Sequence, residues 1–128
     1  MKNNQDITQD IKKILFTLKK NIKKILKKKK NLYLKYYRMF KDINSIRLFK
    51  EPKNSKSNYW LQTIILQKPD LKIRNFILQK TNDIKISTRP VWQLLDEIKY
   101  LGKTPKMNLD VSKKLEKQII NLPSSPNL

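Results

Sequence analysis

Residues 7–43 contain neither proline nor glycine, and their aliphatic residues recur at spacings of one, three and four. Ile7, Ile11, Ile14, Leu15, Leu18, Ile22, Ile25 and Leu26 form one stripe at the period of an α-helix, with Lys12, Lys13, Lys19, Lys20, Lys23 and Lys24 lying off it. Leu32, Tyr36, Met39, Phe40 and Ile43 carry an apolar face onward, and Asn44-Ser45 is a reasonable stop. A long helix leading the chain is therefore the first expectation, and everything else must fold from residue 46 onward.

That remainder alternates between two patterns. Ile46 to Phe49 predicts a short strand ended by Glu51-Pro52, and "NYWLQTIIL" (residues 58–66) predicts a buried strand rich in aromatic and β-branched residues. Asp70 is placed to cap a helix in which Ile73, Phe76 and Ile77 share a face, ending near Asn82-Asp83. Lys85 to Thr88 predicts a strand broken by Pro90, Gln93 to Leu101 a short helix stopped at Gly102, and Val111 to Asn121 a last helix capped by Asp110. The expected class is α/β: a basic amphipathic helical segment over residues 1–45, then a small α/β domain over 46–128.

Several chemistries are excluded by what the chain lacks. It has no cysteine and no histidine, which removes thiolate metal sites, disulfides and the commonest general base. A single glycine leaves no glycine-rich phosphate loop. Asp96 and Glu97 are adjacent, so on a helix they diverge and make no working carboxylate pair. Ser124 and Ser125 have no histidine to activate them. No apolar run approaches the roughly 20 residues of a membrane-spanning helix, and the polar start lacks the apolar block of a secretory signal, so a cytoplasmic protein is the expectation.

The net charge is +20, and it is concentrated at the front: residues 1–50 hold 16 Lys and Arg against 3 acids, or +13, leaving +7 for residues 51–128. Three readings are open for the lysine-rich helix. It is a nucleic-acid contact, an amphipathic helix on anionic lipid, or the solvated face of a helix packed on protein. Arginine, the residue of bidentate phosphate recognition, is scarce there, with only Arg38 and Arg47. Tyr33, Tyr36, Tyr37 and Phe40 fall at helical spacing rather than along an extended stacking platform. Both features favour the packed helix, with weak, nonspecific polyanion binding as the residual expectation.

"STRPVWQLL" (residues 87–95) is more specific. Arg89 precedes proline and is held extended, and Trp92 follows three residues later. Structurally Trp92 reads as a core anchor; functionally, Arg89 and Trp92 read as an anion-and-stacking pair at a strand end.

Taken in order, "SNYWLQTIIL", "STRPVWQLLDEI" and "LDVSKKLEKQIINLPSS" resemble the C-terminal part of the DegT/DnrJ/EryC1/StrS aminotransferases, over roughly residues 25–128. "KKKNLYLKYYRMF" resembles the family's helix leading into the small domain. The closest likeness is to the branch acting on UDP-linked amino sugars of the legionaminic-acid type, for surface glycans. The chain departs from the pattern at Lys85, where the family usually has glycine, and at Ser112-Lys113, where the last helix often begins Ala-Glu.

The resemblance implies a pyridoxal-phosphate enzyme fold of which this chain is the small domain. It also implies that the cofactor cup, the aspartate under the pyridine nitrogen and the cofactor lysine belong to a large domain outside these residues. By this resemblance the chain is a truncated or split aminotransferase, inactive alone, with no catalytic residue and no cofactor of its own. Its partner would be a separately encoded cofactor domain or a full-length homologue, and Arg89 and Trp92 would contact the substrate. The alternative is a non-enzymatic basic protein binding nucleic acid or anionic membrane. On either reading the stripe Ile11, Leu15, Leu18, Ile22 and Ile25 must fold back on residues 46–128, self-associate or stay exposed.

Overall fold

The computed structural model describes residues 4–101 and 104–128. Helix α1 runs Asn4–Phe40, 37 residues or about 55 Å. Then come β1 (Ile46–Leu48), β2 (Gln62–Leu66), α2 (Leu71–Asp83), β3 (Arg89–Pro90), a 3-10 turn (Leu95–Glu97), α3 (Asp110–Glu116) and β4 (Ile119–Leu122). The mixed α/β class holds, and every strand pairing is antiparallel.

The sheet order is β1-β2-β4-β3. Both β2 and β3 run antiparallel to β4, so they are parallel to each other and joined through α2, with β4 slotted between them. The result is a split β-α-β unit with β1 added at one edge. The register sets Ile46 against Leu66, Leu48 against Ile64, and Ile64 against Ile120. These residues share one face. Ile64, Leu66 and the fully buried Ile120 form the core there, under Phe40 of α1 and Ile77 and Leu78 of α2. Thr63, Asn121 and Arg89 stand in register on the opposite face.

Five expectations are corrected by this arrangement. The helix over Val111 to Asn121 ends at Glu116, because the next residues make the middle strand of the sheet. Gln118 helps commit them to it: its Nε2 donates to the Leu66 carbonyl at 2.6 Å. Asp110 opens that helix but makes no side-chain cap. Pro90 does not break a strand over Lys85 to Thr88; it lies within β3, which is a sheet edge, where a missing N–H is tolerated. Gln93 to Leu101 holds only the 3-10 turn, and Gly102 lies outside the described residues. On α2, Ile73 and Phe76 are exposed, and it is Ile77 and Leu78 that meet the sheet.

The two ends of α2 show local chemistry at work. Asp70 Oδ1 accepts from the N–H groups of Lys72 and Ile73, as the cap signal requires. At the exit, Lys85 N–H donates to Asn82 O and Ile86 N–H to Thr81 O, the paired bonds of a Schellman stop. That stop needs a left-handed residue, and Lys85 sits there with φ 65°. The tight exit that glycine usually makes is thus made by lysine, against the Cβ clash that disfavours it. The buried Arg74 spans from α2 to α3, its Nη1 donating at 2.6 Å to the carbonyl of Glu116, the last residue of α3.

Only the second half of α1 is packed. Leu32 is buried, Tyr36 Oη donates to Pro123 O at 2.9 Å, and the Tyr33 and Tyr59 rings lie 5.3 Å apart. Ile7, Ile11, Ile14, Leu15, Leu18, Ile22 and Ile25 are all exposed. By helical periodicity they share the face of Leu32, Tyr36 and Phe40, so the uncovered stripe continues the packed one. Of the three fates expected for it, this chain shows exposure.

Two outcomes follow. Lys85→Gly should raise stability by about 0.5–1 kcal/mol in urea unfolding, as the left-handed strain is removed and unfolded-state freedom rises only partly against it. The phenols of Tyr33, Tyr36 and Tyr59 are held protonated beyond their usual range, first by burial and, for Tyr33 and Tyr59, by neighbouring tyrosines or Glu51. A raised folded-state pKa contributes stability that is whole below pH 10.0 and is lost above it. Unfolding midpoints should therefore fall as pH rises past that value, and less steeply in Tyr36→Phe.

Candidate functional site

A groove of about 750 Å³ opens where the beginning of β2, the β3 edge and the end of β4 meet. Trp60, Arg89, Trp92, Asn121, Ser124 and Ser125 are among the residues lining it. The two residues singled out in the sequence, Arg89 and Trp92, are thus brought together. Arg89 is exposed on its edge strand, and its guanidinium makes no hydrogen bond or ion pair among the described residues. Trp92 is 66% exposed, so it is not the core anchor that its bulk suggested. The chain leaves β3 after Pro90 without regular structure, and nothing draws the indole inward.

Trp60 was missed as a site residue, because "NYWL" reads as strand. Regular strand begins only at Gln62, and Trp60 is 65% exposed on the groove's β2 side. Its position is strictly fixed. Asn58 Oδ1 accepts from Trp60 N–H at 3.0 Å, Ser57 Oγ accepts from Tyr59 N–H at 2.9 Å, and Glu51 accepts from Ser57 N–H. Between them Tyr59 adopts φ 53°. For a bulky side chain this left-handed conformation costs about 1–2 kcal/mol. The Asn-Tyr-Trp turn was the one available signal, since Asn favours such side-chain-to-backbone turns.

Lys29 ties α1 to this rim. It falls on the helix's packed face, where an apolar residue would be expected. Its Nζ donates to Trp60 O at 3.0 Å and to Ser124 O at 2.7 Å. In return, the buried Gln62 donates from Nε2 to Lys29 O at 3.2 Å. Burial moves the Lys29 ammonium below its ordinary range. One member of the lysine run is therefore structural, holding together the two strand ends that frame the groove.

Chemically, the groove offers one exposed cation, two indole faces, serine hydroxyls and an amide. Its lining has no lysine and no aspartate or glutamate side chain. Pyridoxal phosphate as a resident group needs an amine for its aldehyde and an acid for its ring nitrogen, so the lining does not fit it. Asp96, the nearest acid in sequence to Trp92, is engaged with Lys106 at 3.4 Å and Lys113 at 4.0 Å. Among the described residues no cluster of acids suits a metal ion, and no helix is long and apolar enough to cross a membrane.

The model of the DegT/DnrJ/EryC1/StrS aminotransferase family matches residues 14–128. A search of curated proteins finds no match. Among solved structures, Helicobacter pylori PseC, an aminotransferase involved in the biosynthesis of pseudoaminic acid, is 20% identical with a TM-score of 0.70, over 80% of this chain and 28% of that one. The aminotransferase TlmJ from Streptoalloteichus hindustanus is 14% identical with a TM-score of 0.70, over 80% of this chain and 27% of its own. The E. coli GDP-4-keto-6-deoxy-D-mannose-3-dehydratase, solved with hydrated PLP, is 19% identical with a TM-score of 0.64, over 80% and 27%. This chain thus spans about a quarter of the length of the structures it matches.

Replacing Lys29 by Met keeps the stem and removes the donor, leaving two carbonyls short of a partner. The expected loss is roughly 1–3 kcal/mol in denaturant unfolding, with a shift in tryptophan emission, and Lys29→Arg should restore part of both.

Proposed function

Because the chain belongs to the DegT/DnrJ/EryC1/StrS aminotransferase family, we propose that residues 46–128 serve as the small domain of a PLP-dependent nucleotide-sugar aminotransferase. In this reading Arg89 receives a phosphate of the substrate and Trp92 an apolar or aromatic face, while pyridoxal phosphate is held by other polypeptide. The observation that carries it is the groove itself: it gathers recognition groups and offers nothing that anchors the cofactor. The resemblance to the amino-sugar branch points to a UDP-linked keto sugar of surface-glycan synthesis as substrate, in the cytoplasm, and the fold likeness to PseC, an aminotransferase involved in the biosynthesis of pseudoaminic acid, is in keeping with an amino-sugar role. The dehydratase among the structural matches makes the choice between amino transfer and dehydration a matter for the cofactor side.

The test is reconstitution. The chain alone, given pyridoxal phosphate, an amino donor and a UDP-4-keto sugar, should show no cofactor spectrum and no amino transfer. A cofactor domain lacking its own small domain should gain turnover when this chain is added, and Arg89→Ala should lower that gain at least tenfold. Turnover by the chain alone, or no gain on mixing, overturns the reading.

One observation favours a second reading. Between Ile11 and Lys41, α1 has no acid, and its first half leaves both lysines and aliphatic stripe uncovered. This arrangement suits an anionic lipid surface. Vesicles containing anionic lipid should then bind the chain at physiological salt, and Leu18→Asp should abolish it. Binding that vanishes above low salt regardless of Leu18 is charge attraction alone.

A further inference from the structure

Three residues other than glycine have left-handed backbone among those described: Asn54, Tyr59 and Lys85. Asparagine tolerates that region, and Lys85 completes a helix stop. Tyr59 has neither excuse. Its conformation follows no helix and joins no strand, yet it is enforced by bonds from Glu51, Ser57 and Asn58 and by ring contact with Tyr33. What the enforced turn achieves is the placement of one side chain. Trp60 is thrust out onto the groove, its carbonyl locked by Lys29 and its N–H by Asn58. Backbone strain held by many contacts around an exposed aromatic marks a ligand-contacting position.

We propose that Trp60 is a ligand-contacting residue of this groove, stacking the base of a nucleoside diphosphate whose phosphates rest on Arg89. The inference rests on the nucleotide-sugar reading and deepens it by naming the base-recognising residue and the turn that positions it. Trp60 enters from the β2 side and Trp92 from the β3 side, with β4 between those strands. The groove's volume suits a ligand of that size. Indole stacks any base, so the contact recognises a base as such, while Arg89 requires an anion beside it. Tyr59 is the positioning residue, and Asn58 is its lock.

The chain has two tryptophans, and both line this groove, so tryptophan emission excited at the red edge reports on this groove. In Trp92→Phe, Trp60 is the sole tryptophan. UDP should quench it saturably, uridine more weakly, and pyrophosphate not at all. Trp60→Leu should weaken UDP binding about tenfold, followed calorimetrically, in keeping with the strength of base–aromatic stacking. Asn58→Ala should weaken it too with both indoles intact, and circular dichroism should show both variants folded. Quenching of Trp92 in Trp60→Phe, with Trp60 silent in Trp92→Phe, overturns this inference while leaving Arg89 and Trp92 as substrate contacts. An Asn58→Ala variant that binds UDP unchanged overturns the role of the turn. Neither tryptophan responding to millimolar UDP overturns both this inference and the substrate-contact reading.

Discussion

The pairing of β4 with its two neighbours holds the molecule together. Ile120 is entirely buried, faces Ile64 across one ladder, and pairs with Pro90 across the other. Without that strand, β1-β2 and β3 have nothing between them, α2 loses the sheet beneath its Ile77 and Leu78, and the groove loses Asn121 and Ser124 from its floor. The groove is therefore a product of long-range contacts: Trp60, Arg89 and Asn121 are far apart in sequence and meet only because β4 is inserted. Local propensity sets the helices, and one non-local pairing sets the site.

That division explains what could be read in advance. The long helix, the strand at Ile46, the Asp70 cap and the end of α2 are written in short-range patterns, and they are found where those patterns put them. Arg89 and Trp92 were legible as a pair because a pre-proline arginine and a nearby tryptophan make an uncommon combination. The β4 strand was hidden, because Val111, Leu115 and Ile119 keep helical spacing up to the point where the chain turns into the sheet. The neighbouring Ile119-Ile120 pair and the proline at 123 were the weaker, opposing signal. Trp60 was hidden by the same ambiguity, its aromatic neighbours reading as strand when the backbone is a fixed turn.

The lysines divide into kinds that composition alone cannot separate. Lys29 is a structural strut, Lys85 a left-handed helix stop, Lys106 and Lys113 counter-charges for Asp96, and the ammonium groups of Lys12, Lys19 and Lys23 lie along an open helix. A charge of +20 describes their sum and not their work. The family match and the fold likeness do not depend on that sum.

The order of strands also bears on how this polypeptide leaves the ribosome. Its central strand is translated after both of the strands it must join, with Thr63 and its partner Asn121 separated by 58 positions. Until then the nascent segment carries two unzipped edges, each able to pair with a neighbouring chain. The interval between the synthesis of residue 66 and that of residue 119 is therefore the one in which such mispairing can occur.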